Sequence, residues 1–258
     1  MAKHAGVDLS AWQEQVDYKA LKNGKICGAK VKFVMLRASI GLNKDVLFDK
    51  HYKGCKAVGL YVGAYHYLKA QTVTAAEQEA RFLVGVLREY DIDYPVALDF
   101  EDPDTLALGL SKSEYTAIVD AFMSVLQRAN YYVILYAGKY VIANNLDKSV
   151  LDRYDLWLAQ YTTDGYQAQL GQTMWQYSVA GHGSWDYAKV GAVPGVPGQC
   201  DVDWAYIGYA KKIKELGKNH FIKRVKVTAT KTVKEADVAA LKQEFKTRGF
   251  TVTTKEVT

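Results

Sequence analysis

Apolar residues come in short runs along this chain, at residues 5–9, 32–38, 61–67, 94–100, 132–136, 155–160, 173–177 and 200–204. Each is too short for a helix and the right length for a buried strand. Between the fourth and fifth runs Ile118, Phe122, Val125 and Leu126 recur at helical spacing behind Ser113, a candidate N-cap, and residues 75–87 predict a similar helix before the fourth run. Strands alternating with helices imply right-handed βαβ units, and eight strands predict a parallel barrel. Residues 181–198 break that regularity: five Gly, two Pro and little periodicity predict a loop. The expected fold class is α/β, an irregular (β/α) TIM-like barrel with a small C-terminal β-α-β module.

That module begins where the character changes. Residues 211–220 read as a linker or a last short helix. Beyond them, residues 221–229 alternate apolar and basic positions as a strand does, and Thr232-Val233-Lys234-Glu235 has the capping-box pattern. Val238, Leu241 and Phe245 form a helical stripe, Gly249 stops it, and residues 250–257 alternate again. Three domains follow: a barrel over 1–210, a linker over 211–220 and a basic unit over 221–258. Such a unit is too small to bury a core alone, so it should dock on the barrel or form a homodimer through residues 221–258.

Composition leaves this picture intact and charge sharpens it. With 258 residues, 49% hydrophobic and 24% charged, the chain is an ordinary globular sequence. No stretch approaches the roughly 18 uncharged apolar residues of a membrane span, so membrane insertion is not expected, and Met1-Ala2-Lys3-His4 does not open a signal peptide. Cys27, Cys55 and Cys200 are scattered, with no CxxC or Cys/His spacing, so no metal and no cofactor is expected. The net charge of +5 hides an asymmetry: residues 211–258 carry 13 Lys/Arg against 5 Asp/Glu, leaving 20 against 23 in residues 1–210. A basic tail suits an anionic polymer, anionic lipid or nucleic acid. Residues 1–210 show no basic stripe with interleaved aromatics, so nucleic acid is not the expected partner.

The candidate chemistry sits at Asp99-Phe100-Glu101. On a strand, residues i and i+2 share a face, placing these two Cα atoms roughly 6–7 Å apart. Like charges so close raise one proton affinity, and a carboxylic acid kept protonated at neutrality is what glycosidic bond cleavage needs. A solvent-facing pair of charges at a strand end is the plain alternative. Parallel barrels place active sites at the carboxyl ends of strands. There the sequence puts Asp8, Tyr65, His66, Tyr67, Asp99, Glu101, Tyr136, Gln160, Tyr161, Gln176, Tyr177, Asp201 and Asp203. Tyr65, Tyr136, Trp157 and Trp175 are candidate sugar-stacking rings, although a large aromatic there is about as often core, and His66 reads as a satisfied hydrogen-bonding group.

Gly6-Val7-Asp8-Leu9-Ser10, Gly63-Ala64-Tyr65-His66-Tyr67, Leu98-Asp99-Phe100-Glu101, Leu156-Trp157-Leu158-Ala159-Gln160-Tyr161, Trp175-Gln176-Tyr177 and Gly198-Gln199-Cys200-Asp201-Val202-Asp203 lie in this order along the chain. In order and spacing they resemble the Chalaropsis-type lysozymes of glycoside hydrolase family 25, over about residues 4–210. The resemblance implies cleavage of the β-1,4 bond between N-acetylmuramic acid and N-acetylglucosamine in bacterial peptidoglycan. It implies Glu101 as acid/base, with Asp8, Asp99 and Asp201 as the other acidic positions. Asp203 stands where that pattern has Asn, so Asp201 and Asp203 both remain candidates for the fourth carboxylate. Substrate contacts are expected from Tyr65, Tyr67, Tyr136, Trp157, Gln160, Trp175, Gln176 and Asp203. Similar proteins serve as phage endolysins, implying synthesis in the host cytoplasm and action on the wall after release. The tail, with Lys223, Arg224, Lys226 and Lys231, is then expected to hold an anionic wall polymer. A chitinase-like or non-catalytic sugar-binding barrel is the alternative; Tyr94 and Ala97 stand where the chitinase series has aspartates. Substrate-assisted, covalent and inverting mechanisms stay open.

Overall fold

A computed structural model describes residues 3–162, 170–220 and 237–247. The chain forms two compact units, Met1–Ile222 and Lys223–Thr258. The first contains eight long strands: β1 (His4–Leu9), β2 (Ala29–Ile40), β3 (Tyr61–Tyr67), β4 (Val96–Asp99), β5 (Val133–Gly138), β6 (Asp155–Ala159), β7 (Met174–Ala180) and β8 (Cys200–Ala205). All eight apolar runs of the sequence are strands. They close into a barrel, β1 pairing with both β2 and β8.

The barrel is not wholly parallel. From β1 through β7 every neighbouring pair is parallel, but β8 runs antiparallel to both β7 and β1. Parallel strands need a long crossover, usually a helix. Between β7 and β8 the Gly/Pro-rich residues 181–198 form no helix, so the chain stays at the end where β7 finished and re-enters the barrel from there. The start of β8 therefore lies level with the carboxyl ends of the other strands, and Asp201 pairs across from Asp8.

Helices α1 (Tyr18–Asn23), α2 (Phe48–Ala57), α3 (Val73–Leu87), α4 (Pro103–Leu106), α5 (Lys112–Arg128), α6 (Lys139–Asn145) and α7 (Ser149–Arg153) fill the connections. The cap of α5 is Ser111 rather than Ser113: Ser111 is extended and accepts from the Glu114 amide, while Glu114 returns a bond to the Ser111 amide. That reciprocal box satisfies two backbone donors at once. Phe122, Val125 and Leu126 of α5 are buried against the outside of the barrel wall.

Inside the barrel a separate cluster includes Phe33, Met35, Ala97, Ile134 and Trp157. Two glycines make room for it. A Cβ at Gly6 would lie 2.3 Å from the Phe33 ring, and one at Gly63 would lie 2.3 Å from Met35 Sδ.

Residues 211–220, expected as a linker or a last short helix, include the end of that helix and fall within the first unit. Helix α8 (Tyr209–Glu215) buries Tyr209 and Ile213, and Tyr209 meets Tyr94 edge-on at 5.6 Å beneath the Phe33–Tyr94 stack. Asn219 then stitches the segment after α8 to the two segments that lead into β4 and β5. Its Nδ2 donates to the carbonyls of Ile92 (3.1 Å) and Tyr94 (2.8 Å), and its Oδ1 accepts from the Tyr132 amide at 2.7 Å. A linker reading fails because a buried Tyr and Ile one helical turn apart plug the amino end of the barrel. In the second unit α9 (Val238–Thr247) is the helix that the apolar stripe predicts. The strands expected at 221–229 and 250–257, the capping box at 232–235 and the stop at Gly249 lie outside the described residues. Among the described residues no helix is long and apolar enough to cross a membrane.

Asn219→Ala would leave three buried backbone groups without partners. A loss of about 2–4 kcal/mol of barrel stability is expected, read as a lower urea midpoint with unchanged slope.

Candidate active site

Strand alternation and the turned-back β8 bring the acids together. Asp8 ends β1, Asp99 ends β4, Glu101 follows two residues later, and Asp201 opens β8; all four line one cleft of about 1060 Å³. Strand β4 stops at Asp99, but the Phe100 amide still bonds the Tyr136 carbonyl at 3.0 Å. The extended path continues far enough to send Phe100 into the outer core and Glu101 back into the cleft. Tyr65, Tyr67, Tyr136, Trp157, Gln160 and Gln176 line the same cleft.

Two expected contacts are not there. Trp175, one residue from Gln176, points to the opposite face of β7, joins the outer core and donates from Nε1 to the Gln160 carbonyl at 2.8 Å. Asp203 shares the interior face with Asp201 but lies two residues deeper, completely buried, and does not line the cleft. His66 faces outward, held between Ser39 Oγ (2.7 Å) and Glu79 Oε2 (2.8 Å).

The cleft also holds residues that strand-end reasoning passed over. Arg37, from the second apolar run, donates from Nε to Asp45 Oδ2 at 2.8 Å and faces Asp99. Its position in a strand-like run was a usable signal. Trp12 (82% exposed) and Trp185 (51% exposed) stand at the rim, with His182 stacked on Trp185 at 4.7 Å. These come from loops, where no periodicity announces a side chain's direction.

A hydrogen-bond network orders the floor. Gln176 Nε2 donates to Asp8 Oδ2 at 2.9 Å, and Gln176 Oε1 accepts from the hydroxyls of Tyr136 (2.8 Å) and Tyr161 (2.9 Å). The Tyr136 hydroxyl also lies beside Glu101.

Electrostatics favour protons here. Glu101 keeps contact with cleft solvent, yet the surrounding walls desolvate it, Asp201 repels its charge, and together they push it up to about 7, with the Tyr136 hydroxyl pulling the other way. Burial raises Asp201 to about 6, against an opposing pull from His182. Asp99 is raised well above the usual carboxylate range, first by burial and then by Glu101, with Arg37 opposing. Asp8 is raised likewise by burial and by Asp201 and Asp203. Asp99 Oδ1 is buried with no hydrogen-bond partner in the described structure.

A closed α/β barrel with an acid-lined, aromatic-walled cleft at the carboxyl ends of its strands defines a glycoside hydrolase architecture. Residues 7–196 match the sequence profile of glycosyl hydrolases family 25, and the chain belongs to that family. It is 28% identical over 199 residues to the autolytic lysozyme of Clostridium acetobutylicum, covering 77% of this chain and 54% of that protein, so it spans about half the length of that relative. The crystal structure of the CTP1L endolysin superposes with a TM-score of 0.66 at 26% identity, over 83% of this chain and 70% of that one. The lysozyme of Streptomyces coelicolor superposes with a TM-score of 0.64 at 21% identity, over 86% and 100% of the two chains, and shares the fold.

Raised carboxyl groups keep protons in the folded state that the unfolded chain gives up near about pH 4, so folding stability falls as pH climbs from there through about 7. Thermal denaturation should show the barrel most stable near about pH 5 and weaker by about pH 8. Asp99→Asn is expected to stabilise the fold by about 1–2 kcal/mol at about pH 7, because a buried carboxyl is costly to ionise and the amide carries no charge.

Proposed function

We propose that this chain is an N-acetylmuramidase, a lysozyme that cleaves the β-1,4 bond between N-acetylmuramic acid and N-acetylglucosamine in peptidoglycan. The observation that carries the reading is Glu101: a cleft-facing acid beside Asp8, Asp99 and Asp201, with its proton affinity raised by burial and by Asp201 to about 7. Membership of family 25 and the likeness to the autolytic lysozyme of Clostridium acetobutylicum support the same substrate.

Glu101 gives its proton to the leaving glycosidic oxygen, and later removes one from the attacking water. The 2-acetamido oxygen of the sugar is the nucleophile at the anomeric carbon. Asp99 Oδ1, lacking a partner in the described structure, accepts from the acetamido N–H and so orients that oxygen and offsets the positive charge of the oxazolinium-like intermediate. Asp8 and Asp201 hold negative potential around the oxocarbenium-like transition state and raise the proton affinity of Glu101. A direct aspartate nucleophile would need a carboxylate pair about 5–5.5 Å apart, and an inverting base about 6.5–9.5 Å. Tyr65, Tyr67, Tyr136, Trp157, Gln160 and Gln176 form the sugar-contacting walls. A role in phage-driven lysis of a bacterial host belongs to this reading and draws on the likeness to the CTP1L endolysin. Residues 223–258, with Lys223, Arg224, Lys226 and Lys231, are assigned to an anionic wall polymer, a homodimer contact being the competing role.

Glu101→Gln should keep the fold and lose wall-clearing activity by about 10²–10⁴-fold. A variant at a tenth of normal rate would remove Glu101 from the acid role. Mass spectrometry of digested walls should give reducing-end muramic acid. NMR of the first product should show retained anomeric configuration, and an inverted product excludes the acetamido route. Activity on walls should fall as pH rises through about 7, where Glu101 loses its proton. Truncation should follow Ile222, since Asn219 anchors the barrel; salt-sensitive wall affinity should drop while cleavage of soluble glycan persists.

A further inference from the structure

Asp203 is the buried titratable group that the cleft chemistry leaves unused. Its carboxyl is wholly enclosed, Oδ1 accepts from Trp157 Nε1 at 2.8 Å, and no donor reaches Oδ2. Strand β1 pairs alongside, with Gly6 opposite Asp203 and Asp8 opposite Asp201, and the Asp8 carboxyl is the neighbouring side chain within reach of it. Among the described residues the other titratable groups that act on it are Asp201 and Cys200 on its own strand, Tyr177 on β7 and Tyr161 after β6. None is a cation.

Donor and acceptor identities fix what this contact must be. The indole N–H of Trp157 only donates, so Asp203 Oδ1 is an acceptor. Gln176 Oε1 is committed to the hydroxyls of Tyr136 and Tyr161, so its amide nitrogen must face Asp8, and Asp8 Oδ2 is an acceptor too. One oxygen remains on each acid. Two carboxylate oxygens cannot hydrogen-bond each other without a proton, and two bare charges facing each other in a dry barrel would be strongly unfavourable. We propose that Asp8 and Asp203 share one proton across the neutral range and act as a monoanionic pair, in which Asp203 is a positioning residue that holds Asp8 against the cleft floor.

The proton belongs to the pair and moves between the two free oxygens without changing the net charge. Asp8 thereby contributes to the cleft as half of a single negative charge, fixed by Gln176 on one oxygen and by the shared proton on the other. Burial and mutual repulsion raise both acids, in keeping with a retained proton. An asparagine at position 203 would accept from Trp157 through its carbonyl and donate to Asp8 through its amide. It would preserve both contacts and the net charge.

The functional consequence rests on the muramidase reading; the shared proton does not, and the test separates them. Infrared difference spectra of the full chain near neutral pH should show a protonated-carboxyl C=O band that weakens by one group's worth in Asp203→Asn and is unchanged by Asp203→Asn in the carboxylate region. Relative to the wild type, the melting temperature of Asp203→Asn should rise progressively from about pH 6 to about pH 9, because the amide has no proton to lose. Wall clearing should stay within about threefold of wild type in Asp203→Asn and fall about tenfold or more in Asp203→Leu, which cannot bond Asp8. An unchanged C=O band in Asp203→Asn overturns the proposal, as does an Asp203→Asn variant no more active than Asp203→Leu. If wild type itself clears no wall, the muramidase reading fails, and the infrared and melting data still decide the pair.

Discussion

Five carboxyl groups lie at one end of a closed barrel with a single arginine among them, and the molecule must find protons or hydrogen bonds for nearly all. Arg37 cannot neutralise the group, since it is already held by Asp45. The remedy is a proton on the most crowded positions and committed donors elsewhere: Gln176 for Asp8 and Trp157 for Asp203. What would be a defect in a purely structural barrel is, in the muramidase reading proposed above, the source of a general acid near neutral pH. On that reading the fold carries a cluster that costs stability because its repulsion raises the proton affinity the reaction needs.

That cluster exists only because the barrel departs from regular alternation. A helical return after β7 would have made β8 parallel, with Asp203 toward the cleft and Asp201 a layer beneath it. The loop over 181–198 reverses this order, and the same loop contributes His182 and Trp185 to the rim. One irregular segment thus sets strand direction, the choice of fourth carboxylate and part of the aromatic wall. At the opposite end, α8 and Asn219 seal the barrel, so the floor beneath the acids is dry and its dielectric low.

The aromatic residues divide by the same geometry. Trp157 lies on the inward face of β6, where it both floors the cleft and gives its N–H to Asp203; Trp175 lies on the outward face of β7, in the outer core beside Tyr177. Their sequence contexts are alike, a tryptophan inside a short apolar strand. Only the parity of each position relative to the barrel wall separates a cleft-facing ring from a core ring.

The eight strands, the helices before and after β4, the loop over 181–198 and the carboxylate pair at 99 and 101 were legible in the linear sequence, because each depends on local periodicity or on a local lack of it. Resemblance to a lysozyme family was legible as well, since six short motifs recur in fixed order. The sequence could not say whether Asp201 or Asp203 reaches the cleft: both have the same parity, and depth along β8 depends on the direction in which the strand runs. Nor could it show that residues 211–220 plug the barrel, that Trp175 turns outward, or that Arg37 and His182 face the acids. Those facts depend on contacts between segments far apart in the chain, which local pattern does not encode and which only closure of the barrel decides.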